Sequence, residues 1–285
     1  MSEPERGWRK AKPTDLDAVR FFMSEREAFA TGLSGRILAP AGGLKLPTRP
    51  GGLYVFQGDQ IEALAAFMST GTTFPIAPSE GSFDRFLSLR RLSALRTYRP
   101  ASCVGLAATV DDLESAFAWT PACRINYRVM SLDRGDFKPS ARTAASVRRA
   151  GPKDLDALYP LAEAYEKEEV ITALHRFAPG VCRAQQARSL CEQIVYLVEA
   201  DGRVAARAQT NARGWTRDQI GGVFVIPAFR GRGLGRLAVE TLVRDRLEAG
   251  RGLSLFVKES NDVATGLYVS MGFRMQGSYR VDYFR

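Results

Sequence analysis

The segment from Gln219 to Gly235 has the residue types and spacing best suited to binding phosphate. It reads QIGGVFVIPAFRGRGLG, so an apolar, strand-like stretch leads into alternating glycines and then into a predicted helix. Glycine lets backbone amides turn toward a ligand with no Cβ atom in the way. Amide N–H groups and the positive end of a helix dipole together form a site for a pyrophosphate group.

The spacing distinguishes this loop from two common phosphate loops. A P-loop would end in Gly-Lys-Ser/Thr, and this loop does not. A Rossmann fingerprint would be GxGxxG, whereas the glycines here follow GxGxG and the next strand ends in Lys258. A plain glycine-rich turn is the third interpretation, but three alternating glycines flanked by arginines exceed what a turn needs. The loop is therefore predicted to hold the phosphates of a cofactor.

Two motifs in this half of the chain resemble the GNAT acetyltransferase superfamily. Arg230–Gly235 is similar to its acetyl-CoA signature, Arg/Gln-x-x-Gly-x-Gly/Ala. The segment LFVKESNDVATGLYVSMGF, residues 255 to 273, is similar to its pattern of strand, Asn, Ala, Leu-Tyr and Gly-Phe. The resemblance implies acetyl-CoA as cofactor and transfer of an acetyl group to a primary amine by direct attack in a ternary complex. A non-catalytic acyl-CoA-binding regulatory module is the alternative.

The same resemblance implies which residues form the site. The strand before the loop would offer backbone groups to the pantetheine arm, and Tyr268 would protonate the leaving thiolate, although Tyr268 as an ordinary core aromatic is the alternative. The residues predicted to bind the cofactor are Val223, Phe224, Val225, Arg230, Gly231, Arg232, Gly233, Leu234, Gly235 and Asn261.

A general base is needed because the attacking amine must be neutral. Where some relatives have a glutamate on the cofactor strand, this chain has Gly221-Gly222. The helix predicted from Leu155 instead aligns four residues on one face by i, i+3 and i+4 spacing: Leu158, Ala162, Tyr165 and Glu169. Glu169 is therefore one candidate base, and His175, the only histidine, is the other. Glu166 and Glu168 are expected to face solvent.

An internal repeat organises the chain into two halves. The segment from Arg9 to Val19, RKAKPTDLDAV, is nearly repeated by RRAGPKDLDAL from Arg148 to Leu158. Hairpins with Gly58-Asp59 and Asp201-Gly202 turns follow in the same order in both halves. We therefore predict an α/β fold, an α+β mixed sheet, built as two tandem GNAT-like domains.

The predicted boundaries give the two halves different roles. Residues 1–138 form a degenerate GNAT-like domain without the cofactor loop, residues 139–145 form a polar linker, and residues 146–285 form the catalytic domain. The first half has neither the RxxGxG loop nor a pair comparable to Asn261 and Tyr268. It is therefore expected to bind no cofactor.

Composition narrows the partners of the chain. The formal charge is +9, but the bases are scattered apart from short clusters such as Arg90 to Arg99, which disfavours nucleic acid as the main partner. Neither a secretory-type leader nor an apolar run of about 20 residues occurs, so a cytoplasmic protein without a membrane partner is expected. Four cysteines without a CxxC pair predict free thiols and no metal site. The acceptor, a small-molecule or peptide amine, and the existence of a homodimer stay open.

Overall fold

The computed structural model describes residues 6–37, 43–48, 51–140, 145–172, 174 and 176–285. These residues form two compact units. Unit 1 comprises Met1–Val129 together with Gln276–Arg285, and unit 2 comprises Met130–Met275. The sequence prediction had assigned residues 276–285 to the second half. They belong to unit 1 because residues 279–283 pair with residues 102–106 of that unit.

The strands of unit 1 form a mainly antiparallel sheet. They are β1 (Gly7–Lys10), β2 (Gly52–Gln57), β3 (Ile61–Phe67), β4 (Thr72–Ile76), β5 (Ser102–Leu106), most of β6 (Cys123–Leu132) and most of β12 (Arg274–Tyr283). The first four strands pair antiparallel in sequence order, β4 and β5 pair in parallel, and β5 pairs antiparallel with β12. Its helices are α1 (Leu16–Ser24), α2 (Glu27–Ile37), α3 (Ser82–Arg90) and α4 (Ala107–Phe117).

Unit 2 has a mixed sheet with helices packed on it. Its strands are β7 (Ser146–Arg149), β8 (Val195–Ala200), β9 (Arg203–Arg213), β10 (Arg217–Val225) and β11 (Gly252–Lys258). Its helices are α5 (Leu155–Tyr165), α6 (Pro179–Glu192), α7 (Leu234–Glu248) and α8 (Asp262–Ser270). Strands β7 to β10 pair antiparallel in sequence order, whereas β10 and β11 pair in parallel. This arrangement confirms the predicted α/β class with a mixed sheet.

Helix α7 anchors the core of unit 2. Its buried side chains recur at helical spacing, so one face carries Val239, Leu242 and Val243, none of which is exposed. They belong to the same core cluster as Leu253 and Leu255 of β11. Burial of such side chains contributes about 1.5–3 kcal/mol each. The helix that follows the glycine loop is thereby held firmly against the sheet.

Within the described residues, no helix is long and apolar enough to cross a membrane.

The sequence repeat corresponds to the same local structure in both units. Arg9 donates two hydrogen bonds to the Asp15 carboxylate at 2.7 and 2.9 Å, and Arg148 donates two to Asp154 at 3.1 and 2.8 Å. Each carboxylate also accepts a backbone N–H three residues before it. The arginine in each pair lowers the pKa of its aspartate. The repeated Arg and Asp therefore fix the entry of the chain into α1 and α5.

A buried cluster of charges lies inside unit 1 around Asp282 of β12, which is fully buried. The Arg124 guanidinium donates to Asp282 Oδ2 at 3.0 Å and to Glu114 Oε2 at 2.8 Å. Glu114 is 4% exposed. Burial, together with the neighbouring Asp282 carboxylate, raises the pKa of Glu114 to about 8. Residues 276–285 therefore bring a buried acid into unit 1.

Candidate active site

Two strands of unit 2 diverge at the predicted cofactor site. Strands β10 and β11 pair over Arg217–Ile220 and Gly252–Leu255, and within these described strands the pairing stops there. On its other side β10 pairs with β9 and contains a bulge. Gly221 pairs with Gln209 and Phe224 pairs with Arg207, so β10 has one more residue than β9 between these two pairs. Gly222 in the bulge has φ +56°, a conformation that favours glycine. The backbone of residues 223–225 therefore faces a gap between two strands.

The loop Arg230–Gly235, which we call the phosphate loop, connects β10 to α7. Gly231 and Gly233 have φ values of +77° and +75°, and Gly233 is the N-cap of α7. The Leu237 amide bonds the Gly233 carbonyl at 3.0 Å, so the amides just before Leu237 lie in the first turn, where a helix offers them no acceptor. A Cβ on Gly235 would lie 3.0 Å from Val225 Cγ2, so the loop packs tightly against β10. This geometry is that of an anion site at a helix N-terminus.

A cavity of about 560 Å³, the site cavity, joins the phosphate loop to the divergent strands. Every residue predicted to bind the cofactor lines it except Arg232. Arg232 instead forms an ion pair with Asp201 at 2.8 Å. A volume in this range accommodates a small-molecule ligand. Glu168, the candidate base Glu169, Arg236 and Leu267 also line this cavity.

Glu168 is exposed, as predicted, but it also contacts the phosphate loop. Its carboxylate accepts two hydrogen bonds from Arg230, at 2.7 and 2.9 Å, and lines the site cavity. The cause is a π-helical turn at Glu166–Val170, in which the Ile171 amide bonds the Glu166 carbonyl at 2.9 Å. One extra residue per turn rotates the side chains away from α-helical spacing. Glu168 thereby tethers α5 to the phosphate loop.

Glu169, the candidate base, also lies in the π-helical turn. It lines the site cavity and forms an ion pair with Lys258 at 3.0 Å, with the two side chains 27% and 26% exposed. Glu169 is therefore within reach of a ligand in the cavity, rather than free in solvent past the end of the helix. His175, the other candidate, lies outside the described residues.

Tyr268 is buried in α8 and packs edge-on against Phe273 at 5.7 Å. It is not among the described residues that line the site cavity. Burial raises the pKa of Tyr268 well above its ordinary value, with smaller contributions from Tyr165 and Glu169. The phenol therefore keeps its proton at neutral pH and lies within electrostatic reach of the candidate base.

A buried cation that the sequence analysis missed lies beside Tyr165. Arg207 on β9 is 3% exposed, and burial lowers its pKa to about 10. Its guanidinium carbon lies 5.3 Å from the centre of the Tyr165 ring and one nitrogen donates to Gln186. The Gly222 amide donates to the Tyr165 hydroxyl oxygen. The only sequence signal was an arginine within the otherwise small and apolar stretch VAARAQ.

Asn261 has a structural role in addition to lining the cavity. Its Oδ1 accepts a hydrogen bond from the Ala264 amide at 3.0 Å, which caps the N-terminus of α8. Gly272 ends the same segment with φ +98°, where a Cβ would lie 2.0 Å from the Asp136 carbonyl oxygen. The second motif therefore fixes both ends of α8. Asn261 caps its start, and Gly272 provides the left-handed residue that commonly follows the end of a helix.

Comparison with known proteins agrees with this geometry. A family model described as the Acetyltransferase (GNAT) family matches residues 156–273. The peptidyl-lysine N-acetyltransferase YjaB of Salmonella typhimurium is 31% identical over 115 residues, which cover 39% of this chain and 74% of that protein.

Solved structures share the fold over nearly the whole chain. A GCN5-related N-acetyltransferase from Sphaerobacter thermophilus has a TM-score of 0.56 and 17% identity, covering 99% of this chain and 96% of its own. A Drosophila protein has a TM-score of 0.67 and 11% identity, covering 98% and 99%. At these identities the likeness concerns the fold alone.

The divergent strands and the phosphate loop define an acyl-CoA-dependent transferase. The chain belongs to the GNAT family of acetyltransferases. It is an acetyltransferase enzyme whose cofactor is acetyl-CoA, which confirms the predicted family, fold class, activity class and cofactor. The residues fit that cofactor, because the left-handed glycines expose amides at a helix start and a Cβ built on Gly231 would point into open space.

Proposed function

We propose that unit 2 transfers the acetyl group of acetyl-CoA to a primary amine by direct attack in a ternary complex. The observation that carries this proposal is the site cavity, which runs from the start of α7 at Gly233 to the carboxylate of Glu169. A cofactor on the phosphate loop and an amine beside Glu169 would share one cavity. Two reactants held together in this way would need no covalent enzyme intermediate for the acetyl group to pass from one to the other.

The phosphate loop would hold the cofactor mainly through its backbone. Acetyl-CoA supplies the thioester whose acetyl group is transferred. The amides from Gly231 to Gly235 are available to phosphate oxygens, whereas the Arg230 guanidinium is held by Glu168 and by the Val225 carbonyl at 3.2 Å. Arg230 therefore positions the loop as well as adding positive charge. A backbone amide near Val225 would polarise the thioester carbonyl.

Glu169 is the proposed base and Tyr268 the proposed acid. Glu169 would take a proton from the acceptor ammonium, directly or through water, since the ion pair with Lys258 holds its carboxylate at the cavity wall. Tyr268 would give its proton to the leaving thiolate. Burial raises the pKa of Tyr268, so the phenol holds a proton to give, although the same rise makes it a weaker acid.

Tyr268→Phe tests the acid directly, because it keeps the buried ring and removes only the hydroxyl. We expect kcat to fall by about 10²- to 10⁴-fold while calorimetry shows an unchanged Kd for acetyl-CoA. Phe273→Leu is the matched control, since it alters the ring packed against Tyr268 but removes no proton donor. A Tyr268→Phe enzyme with the rate of the unchanged protein would assign Tyr268 to the core.

We further propose a lysine side chain in a peptide as the acceptor. The support is the 31% identity with a protein named for acetylating peptidyl lysine. Thiol release from acetyl-CoA should be measured with a lysine peptide blocked at its α-amine, with the same peptide already acetylated on lysine, and with free amino acids. Release only with the first, and a mass increase on Nε, would support the proposal. Release only with free amino acids would replace the peptide by a small-molecule amine.

The division of labour between the halves also remains a proposal. We propose that the catalytic domain lies within residues 146–275, without the last strand residues that belong to unit 1, and that the first half binds no acetyl-CoA, because it lacks the RxxGxG loop. Calorimetric titration of the full chain should give one acetyl-CoA per chain. Gly233→Asp should reduce that number to zero, since a carboxylate would then face the phosphates. Two molecules per chain, or one molecule retained in Gly233→Asp, would contradict the proposal.

A further inference from the structure

A second cavity lies within unit 1. It has no part in the proposed acetyl transfer. Its volume is about 790 Å³, and it is formed where α3 and α4 end, together with the segment that follows α3. We call it the arginine cavity because four of its lining residues are Arg90, Arg91, Arg96 and Arg99. The described residues that line it include no carboxylate.

The charges of these arginines are not neutralised by the protein. Within the described part of the chain, none of the four forms an ion pair, although many other arginines do, as Arg85 does with Glu62 at 3.4 Å. Arg90 donates to the Ala116 carbonyl at 3.0 Å, and Arg99 donates to the Tyr98 carbonyl at 3.1 Å. These bonds hold two guanidinium groups at the wall and leave most of their donors available.

Arg91 and Arg96 differ from the other two arginines. Among the described residues, their guanidinium groups make no hydrogen bond. The negative ends of two helix dipoles account for a cation such as Arg90 near α3 and α4. They do not account for four cations around one concave space, where like charges repel. An anion with several oxygens would reduce this repulsion and accept bidentate bonds from guanidinium groups.

The remaining wall of the arginine cavity is aromatic. Trp119 is partly exposed and packs on Phe117 with ring centres 4.6 Å apart, and Tyr98 lies 6.4 Å from Trp119. Tyr98 and Phe117 are 4% and 8% exposed, so they form a rigid base beneath the indole. An indole supported in this way offers a flat face on which an aromatic ring can stack.

We propose that the arginine cavity binds a nucleotide, with its base on Trp119 and two or more phosphates among the arginines. A phosphate ion alone would use only the arginines, and a neutral aromatic ring would use only Trp119. A nucleotide uses both walls, and the volume suits a small ligand. Arg90, Arg91, Arg96 and Arg99 surround one concave space and do not form a track along the surface, which favours a mononucleotide over a nucleic-acid strand.

The test is calorimetric titration of the full chain carrying Gly233→Asp, so that binding of ADP at the phosphate loop of unit 2 is suppressed. We expect one ADP per chain, with adenosine and pyrophosphate each bound at least about tenfold more weakly. Arg96→Glu in the same background should weaken ADP binding at least about tenfold. Arg188→Glu, an equal charge change at an exposed residue of α6, should leave it unchanged.

Three results would overturn the proposal. These are no heat with ADP, equal losses in Arg96→Glu and Arg188→Glu, and tighter binding of a short single-stranded DNA than of ADP. If Arg96→Glu alters the circular dichroism spectrum, Arg91→Gln replaces it, because the Arg91 side chain is exposed and glutamine introduces no opposite charge. The Arg96→Glu change made without Gly233→Asp should keep full acetyl-CoA affinity, so failure here is distinguishable from failure of the acetyltransferase proposal.

Discussion

Replacing Glu114 by Gln should remove a pH dependence from the stability of unit 1. The pKa of Glu114 is raised from 4.5 to about 8 in the folded chain. The folded state therefore binds this proton more tightly than the unfolded state does, so the stabilising contribution is complete below about pH 4.5 and is lost as the pH rises through about 8. Glutamine has the shape of the protonated acid and cannot lose the proton.

The two pKa values give the size of the effect. Because the folded state has the higher pKa, the free energy of unfolding falls by about 3 kcal/mol between about pH 5 and pH 8. Near pH 5 the unchanged protein and Glu114→Gln should therefore have similar stability, because both present a neutral group to Asp282. Near pH 8 the variant should be more stable by about 3 kcal/mol. The gain arises because Glu114 is 4% exposed and cannot ionise beside a fully buried carboxylate without cost.

Urea unfolding of the full chain across this pH range, followed by tryptophan fluorescence, measures the difference. Glu25→Gln is the matched control, since the Glu25 side chain is 82% exposed, and its curve should follow that of the unchanged protein. Parallel curves for Glu114→Gln and the unchanged protein would refute the reasoning. They would mean that Arg124 compensates the charge of Glu114 fully in the folded state.

Further predictions concern the active site and the local structures that support it. Gly233→Asp should abolish acetyl-CoA binding by calorimetry while circular dichroism stays unchanged, because aspartate tolerates the left-handed conformation of this position. Glu169→Gln should remove the acidic limb of the rate profile against pH, and a retained limb would exclude Glu169 as the base. Gly272→Ala should lower the stability of unit 2 by at least about 1–3 kcal/mol in urea, because its φ is +98° and its Cβ would clash. Asp154→Asn should lower the free energy of unfolding by about 1–3 kcal/mol at neutral pH. Below about pH 4 the unchanged protein loses the same contribution as Asp154 is protonated, so there the stability of the variant should depend less on pH.

The sequence predicted features that depend on local chemistry. The repeated Arg and Asp, the hairpins and the glycine loop are each set within a few residues, so their signals are readable. The family resemblance placed the cofactor residues, and all but Arg232 line the site cavity. The contact between Glu168 and Arg230 was not predicted, because nothing in EKEEV distinguishes a π-helical turn from a continuing α-helix.

Features that depend on distant pairing were not predicted. The sequence neighbours of Arg207 are those of an ordinary strand residue. It is a buried cation because Tyr165, from a distant part of the chain, packs against its guanidinium group. The pairing of residues 279–283 with β5 spans more than half of the chain, and periodicity carries no information about such partners. The arginine cluster was visible in the sequence, but its concave arrangement around Trp119 required the ends of two helices.

The membership of residues 276–285 in unit 1 has a consequence for how the protein is made. A ribosome completes residues 1–129 first and then adds residues 130–275, all of unit 2, before it reaches the remaining part of unit 1. At roughly 5–20 residues per second, that interval lasts roughly 7 to 30 s. During it, unit 2 can fold while unit 1 still lacks the strand that pairs with β5 and the buried Asp282. The nascent first unit therefore exposes an unpaired strand edge for seconds, the kind of edge to which chaperones and neighbouring nascent chains bind.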